Sequence, residues 1–131
     1  MKKRLLPVML CLLLAALAAC TPPQKTVAQY VAEHREMFAE MEGEVPEGIE
    51  LTVEPRGDSL VYSYRYTAGQ TPQELERFRS AMEQAAVRQE QSALLVLAAL
   101  RKEVPDAVSV IFEYRAADGQ VIFSKEFRGE Q

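Results

Sequence analysis

The feature that most constrains the fold is a long helical pattern in the middle of the chain. Residues 71–74 (TPQE) have the spacing of a capping box with proline at the first helical position, and the pattern runs to Glu103 before Pro105 stops it. At roughly 1.5 Å per residue, such a helix spans about 48 Å, more than the width of a domain of this size. We expect it either to overhang the body or to bend near residues 89–92. Its apolar second half, residues 93–100, predicts burial between a sheet and the first helix.

A shorter helical pattern and two pairs of alternating runs surround this long helix. Residues 26–42 begin with a second capping box and carry apolar residues at helical spacing. They are therefore predicted to be helix one. Apolar and polar residues alternate in four later segments, which predicts strands: residues 49–54, 60–67, 108–115 and 121–127.

The turns and the element order predict the fold class. Glu54-Pro55-Arg56-Gly57 and Asp118-Gly119 are typical hairpin turns between such runs. The order is therefore α-β-β-α-β-β. We expect an α+β two-layer sandwich in which a four-stranded antiparallel sheet is packed by two helices.

The first nineteen residues have the pattern of an export signal. Lys2, Lys3 and Arg4 precede an uncharged apolar run from Leu5 to Ala19. This run is shorter than the ~20 residues that a membrane-spanning helix needs, so a removable leader is favoured over a permanent span.

The leader ends in a tetrapeptide that resembles the lipobox of bacterial lipoproteins: Leu17, Ala18, Ala19 and Cys20. The resemblance implies that the Cys20 thiol receives a diacylglycerol and that cleavage before Cys20 makes it the first mature residue. Ordinary secretory cleavage after residues 16–18 is the alternative. Because Cys11 lies in the leader, Cys20 is the one cysteine left in the mature chain.

These motifs divide the chain and predict its location. Residues 1–19 are a lipoprotein signal peptide, residues 20–25 a lipid-anchored tether with extended Pro22-Pro23 geometry, and residues 26–131 a single domain. Two acyl chains are sufficient for stable membrane attachment. We expect the mature protein on the extracytoplasmic face of the cell membrane.

The charge of the mature chain restricts its partners. Removing the three basic residues of the leader from 15 Lys and Arg leaves 12 against 19 Asp and Glu, a net side-chain charge of −7. Such a domain repels nucleic acid and anionic lipid. We therefore expect attachment through the lipid, an unidentified protein or envelope partner, and no nucleic acid.

Several short strings are together similar to one bacterial family. They are the lipobox and tether, the helix start TVAQYV, the strand LVYSYRYT, the Ala-rich long helix and the closing FSKEF. This combination resembles the small lipoproteins of Gram-positive gut bacteria classified as domain of unknown function 4854, over roughly residues 26–128. The resemblance implies a Gram-positive envelope and brings no activity, cofactor or catalytic residue with it.

Aromatic residues give the candidate recognition surface. Tyr62, Tyr64 and Tyr66 share a predicted sheet face with Phe112 and Tyr114. Aromatic platforms bind sugars and peptides, but these positions also face the helices, so core packing is the favoured interpretation. Since several buried hydroxyls would each need a partner, we expect at least one tyrosine at a wet edge. That edge is the predicted recognition surface.

Other candidate sites have simpler explanations. His34 is the one histidine, so neither a His-based metal cluster nor a Ser-His-Asp triad can form, and a structural role is favoured. The tripeptide Arg56-Gly57-Asp58 is explained by its turn. An acidic loop lacks the pattern of a calcium-binding loop and is read as a solvated rim: Glu40, Glu42, Glu44, Glu47 and Glu50.

The sequence therefore predicts a non-catalytic, lipid-anchored binding module of the cell envelope without metal or cofactor. An inhibitor or regulator of an exported enzyme is the alternative, and a small envelope hydrolase ranks third.

Overall fold

The computed structural model of the protein describes residues 24–129. The predicted leader and the lipobox (Leu17, Ala18, Ala19, Cys20) lie outside these residues, as does the tether up to Pro23. Within this range the elements are α1 (Val27–Glu33), α2 (Arg35–Gly43), β1 (Ile49–Arg56), β2 (Ser59–Tyr66), α3 (Pro72–Glu103), β3 (Ser109–Arg115) and β4 (Val121–Phe127).

The four strands form one mixed sheet in the order β1-β2-β3-β4. β1 pairs antiparallel with β2, and β3 pairs antiparallel with β4, but β2 and β3 are parallel. The α+β class is confirmed, whereas the prediction of a purely antiparallel sheet is wrong. The reason is that α3 carries the chain back along the sheet, so that β3 starts at the same end as β2.

The predicted first helix is divided at His34. Thr26 caps α1 in a complete capping box with Gln29, as predicted, but the backbone at His34 leaves the helical region with φ −104° and ψ 23°. His34 packs its ring against Tyr30 at 4.4 Å between centroids, and its Nε2 atom lies 3.1 Å from Glu103. The single helix predicted over residues 26–42 is therefore two short helices, α1 and α2.

The β1–β2 hairpin turns later than predicted. Arg56 pairs with Ser59, and Gly57 has a φ of 59°, so the two residues at the tip are Gly57 and Asp58. Pro55 belongs to β1, where it lies opposite Leu60. A proline is tolerated in this strand because β1 is at the edge of the sheet.

The β3–β4 hairpin follows the prediction and adds a bulge. Gly119 has a φ of 91° in the Asp118-Gly119 turn. Just beyond the turn, Ile122 has no opposite residue in the register, because Arg115 pairs with Val121 and Tyr114 with Phe123. The bulge turns the Ile122 carbonyl toward α3, where the Nε of Arg79 donates to it at 3.3 Å.

The long helix is uninterrupted from Pro72 to Glu103, so of the two alternatives the overhang is observed. The strands, of seven or eight residues, cover only about 25 Å, roughly half the length of the helix. Phe78 stacks on Tyr66, the last residue of β2, at 5.0 Å. The turns of α3 before Phe78 therefore extend past the sheet.

The second half of α3 is buried on one side only. Leu97 and Leu100 are fully buried, but Leu95 is 67% exposed, and Ala98 and Ala99 are exposed as well. The prediction that this segment is buried between the sheet and the first helix is therefore too broad: Leu97 and Leu100 share the core cluster with residues of α1, but the outer side of the segment is uncovered. α1 and α2 pack mainly over β1, whereas α3 packs over β3 and β4.

The core lies between the helices and one face of the sheet. The sheet contributes alternate residues that the register places on one face, and every helix contributes buried side chains to the same cluster. Its main members are Val27, Tyr30, Val31, Phe38, Leu51, Val53, Leu60, Tyr62, Leu97, Leu100 and Val110.

Charged side chains lie across the opposite face of the sheet. Glu113 is only 3% exposed there, and it accepts hydrogen bonds from Arg56 at 2.9 Å and from Arg115 at 2.8 Å. Burial alone would raise the pKa of Glu113, but the two guanidinium groups outweigh burial and lower it. Arg56 thus links the end of β1 to β3 across β2.

Candidate functional site

The four predicted recognition tyrosines form a packed row, not an exposed platform. Tyr62 and Tyr114 are buried, while Tyr64 and Tyr66 are half-buried. Tyr64 stacks on Tyr114 with centroids 5.2 Å apart and planes 14° apart. All four lie on the face that the helices cover, so most of their surface goes into packing.

Burial makes phenols in this row weaker acids. It raises the pKa of Tyr62 to about 12, with smaller contributions from Tyr30 and Tyr64. It also raises the pKa of Tyr64 and of Tyr66. The hydroxyl groups of Tyr62, Tyr64 and Tyr66 are therefore neutral donors and acceptors at physiological pH.

Tyr114 connects this row to the long helix and to the edge strand. Its hydroxyl accepts a hydrogen bond from the Gln89 amide at 2.9 Å, which joins α3 to the sheet. Its ring lies 6.4 Å from that of Phe123, and the ring of Phe112 lies 5.6 Å from that of Phe127. The two phenylalanines of β4 are thus held by rings of β3.

A groove of about 430 Å³ opens between α3 and β4 beside these rings. Its apolar floor combines small and aliphatic residues of the helix with the two phenylalanines of the strand. Two glutamates stand on the helix wall seven residues apart, on the same helical face. The lining residues are Glu83, Ala86, Val87, Glu90, Phe123, Lys125 and Phe127.

The sequence pattern did not predict this groove, because its two walls lie more than thirty residues apart in the chain. One signal was present: Val87 interrupts the polar outer face of α3, and it is 76% exposed in the structure. Tyr62, Tyr64, Tyr66 and Tyr114, the predicted recognition residues, do not line the groove; Tyr114 is next to it through its ring contact with Phe123.

The two edges of the sheet differ in the hydrogen-bond partners of their outward-facing backbone groups. At the β1 edge, the Glu42 carboxylate accepts a hydrogen bond from the Val53 N–H at 3.0 Å. At the β4 edge, α3 bonds to the backbone at the two ends, from Arg79 to Ile122 and from Arg101 to Arg128. Residues 124–126 between these ends are exposed, so the middle of the β4 edge faces solvent beside the groove.

Other polar groups that could take part in chemistry lie away from the groove. His34 is paired with Glu103, and Ser59 hydrogen-bonds to Ser109 at 2.6 Å, with both serines buried on the opposite face. Within residues 24–129, no three His, Cys, Asp or Glu side chains are grouped as metal ligands would be. The helices in that range include none with the length and apolar character required to cross a bilayer.

A family model described as a domain of unknown function (DUF4854) matches residues 26–127. The chain therefore belongs to this family, as the short sequence strings indicated. Neither the curated proteins nor the solved structures contain a match to the chain.

Proposed function

We propose that this member of the family is a non-catalytic binding module that a diacylglycerol on Cys20 holds at the extracytoplasmic face of the cell membrane. The proposal starts from the tetrapeptide ending in Cys20, which follows a basic and then apolar leader. The observation that carries it further is the position at which the folded body begins.

Lys25 attaches the start of the body to one end of the molecule. Its Nζ atom lies 2.7 Å from Glu33 and 3.5 Å from Glu103, the last residue of α3. The hydrogen bond to Glu33 is the main reason that the pKa of Lys25 is raised. These pairs are exposed and add little stability, but they orient the first described residues toward the C-terminal end of α3.

An anchor at Cys20 would keep that end close to the bilayer. The five residues from Cys20 to Lys25 reach at most about 17 Å. Along α3, the groove between Glu83 and Glu90 lies about 20–30 Å from Glu103. The groove would therefore stand clear of the lipid headgroups, within reach of proteins in the envelope.

Two further observations support binding over catalysis. The one histidine, His34, is not among the residues that line the groove, and neither is the buried Ser59–Ser109 pair. The net charge of −7 also keeps the body away from anionic lipid, so its surfaces stay available to protein partners.

The test is metabolic labelling with an alkyne fatty acid, combined with mass analysis of the mature N-terminus. We expect label on the wild-type protein and on the control Cys11→Ala, no label on Cys20→Ala, and Cys20 as the lipid-modified first residue. An unlabelled wild-type protein, or label that persists in Cys20→Ala, would contradict the proposal.

A further inference from the structure

We propose that the groove between α3 and β4 binds an extended, basic peptide segment of an exported protein, which pairs with β4 as a fifth strand. The inference relies on the proposed function only for the compartment in which the partner is found. Its structural basis is the open β4 edge, the apolar floor beside it and the charge of the helix wall.

The open edge supplies the main-chain interactions. Between Ile122 and Arg128, the two ends held by α3, β4 has one neighbouring strand, β3, and residues 124–126 are exposed. An extended peptide lies about 4.8 Å from the strand with which it pairs, and it satisfies such an edge with backbone hydrogen bonds. At the other edge, Glu42 already occupies the Val53 N–H.

The strand side chains that line the groove have the two-residue period of a β-strand, which can give specificity for the side chains of a paired peptide. Phe123, Lys125 and Phe127 alternate along β4 and line the groove together. A paired strand would point every second side chain at the same floor. Phe123 and Phe127 are about 13 Å apart along the strand, which is the distance between peptide positions four residues apart. Glu83 and Glu90 are about 10 Å apart along the helix, about 3 Å less, a difference that flexible lysine side chains at those positions can span.

The charge of the walls selects the occupant. Two glutamates against one lysine make the groove acidic, so lysine or arginine at the two outer positions and an apolar residue between them are complementary. A second copy of this chain is disfavoured. Pairing β4 with its copy would bring four carboxylates from two α3 helices into one gap, against two lysines.

The test uses the full-length protein in detergent micelles and the end-blocked heptapeptide Thr-Lys-Thr-Val-Thr-Lys-Thr, measured by fluorescence anisotropy. This peptide presents lysine, valine and lysine on one side. We expect a Kd of roughly 10–100 µM, as is reasonable for a short ligand that becomes ordered on binding. The peptide with both lysines replaced by glutamate should bind at least tenfold more weakly.

Methylation of the peptide backbone tests strand pairing. In a strand, alternate residues direct both their N–H and C=O groups to the same side. Methylating the amides of the even residues or those of the odd residues should therefore give opposite results: one peptide loses binding and the other keeps it. If both methylated peptides bind alike, strand pairing is wrong.

Matched variants test the groove. The double variant Glu83→Gln, Glu90→Gln should weaken peptide binding about tenfold, because both wall charges are lost. The control Glu40→Gln, Glu47→Gln removes the same charge from exposed positions around α2 and should stay within twofold of the wild type.

Three results would overturn the inference: no binding at about 1 mM peptide, equal effects of the two double variants, or self-association through β4 that excludes the peptide. The outcome is separable from that of the anchoring proposal. Peptide binding by Cys20→Ala should equal that of the wild type, whether or not Cys20 proves to be lipidated.

Discussion

The two edges of the sheet are treated differently, although both belong to hairpins of similar length. β1 is covered by α1 and α2, its Val53 N–H is bonded to Glu42, and Arg56 ties its end to Glu113 on β3. β4 is held by α3 at Ile122 and Arg128 and is exposed between them.

The β1 edge therefore has a structural role, whereas the β4 edge is free to bind. An unpaired strand edge is a template for further pairing, and proteins commonly block it. Here one edge is blocked by a side chain and covered by two helices, whereas the other borders an apolar, acidic groove. Substitutions on the two sides should differ in how much they lower the free energy of unfolding.

The largest loss of stability is expected for a core residue on the β1 side of the molecule. Phe38 is 1% exposed in the core, whereas Phe123 is half-buried at the groove. Phe38→Ala should lower the free energy of unfolding by about 3–5 kcal/mol and Phe123→Ala by about half as much, because less surface and a smaller cavity are involved. Urea unfolding followed by circular dichroism measures both. Equal losses would break the contrast between the two sides.

The next effect concerns the link between β1 and β3. Glu113→Gln should cost about 2 kcal/mol at neutral pH, since it removes a buried carboxylate from two guanidinium groups.

The same variant predicts a pH dependence with a defined sign. Because folding lowers the pKa of Glu113 below its ordinary value of 4.5, its contribution is fully present above pH 4.5 and is lost as the pH falls through the lower folded-state value. Urea titrations between pH 3 and 7 should therefore show a shallower acid loss for Glu113→Gln. A variant curve parallel to that of the wild type would contradict this.

A smaller effect is expected at the blocked edge. Glu42→Gln keeps the shape of the side chain but removes its negative charge. The Glu42 carboxylate accepts a hydrogen bond from the Val53 N–H and pairs with Arg35. We expect a loss of about 1 kcal/mol and faster hydrogen exchange of the Val53 amide. Glu44→Gln, an exposed neighbour, is the control and should change neither quantity. Unchanged exchange at Val53 in Glu42→Gln would mean that Glu42 does not protect this edge.

Effects about as large as that of Glu42→Gln are expected at two glycines with positive φ. Gly129 has a φ of 63°, and an added Cβ would lie 3.1 Å from Leu94, whereas Gly57 has a φ of 59° with open space around it. Each alanine variant should cost about 1 kcal/mol from backbone strain, with a few tenths more at Gly129 because Leu94 must move. Thermal unfolding that ranks Gly57→Ala as the worse of the two would be inconsistent with the contact at Leu94.

Local patterns were sufficient to predict much of the fold. The capping boxes at Thr26 and Thr71 and the turn at Asp118-Gly119 depend on neighbouring residues, and all three are observed. The length of α3 also followed from its caps. The family was predicted from short strings, and the family model matches residues 26–127.

Features that depend on distant residues were missed. The parallel pairing of β2 and β3 depends on how α3 crosses the sheet, which no local pattern encodes. The break at His34 has no glycine or proline, and the apolar stripe continues across it. The exposure of Leu95 depends on where α1 packs. The groove required the positions of α3 and β4 together.

Hydrogen exchange of individual amides, measured with and without the lysine heptapeptide, tests the central claim about the two edges most directly. We expect the peptide to slow exchange at outward-facing amides of residues 123–127 and to leave exchange in β1, residues 49–56, unchanged. Protection that appears along β1, or no change along β4 at saturating peptide, would contradict it.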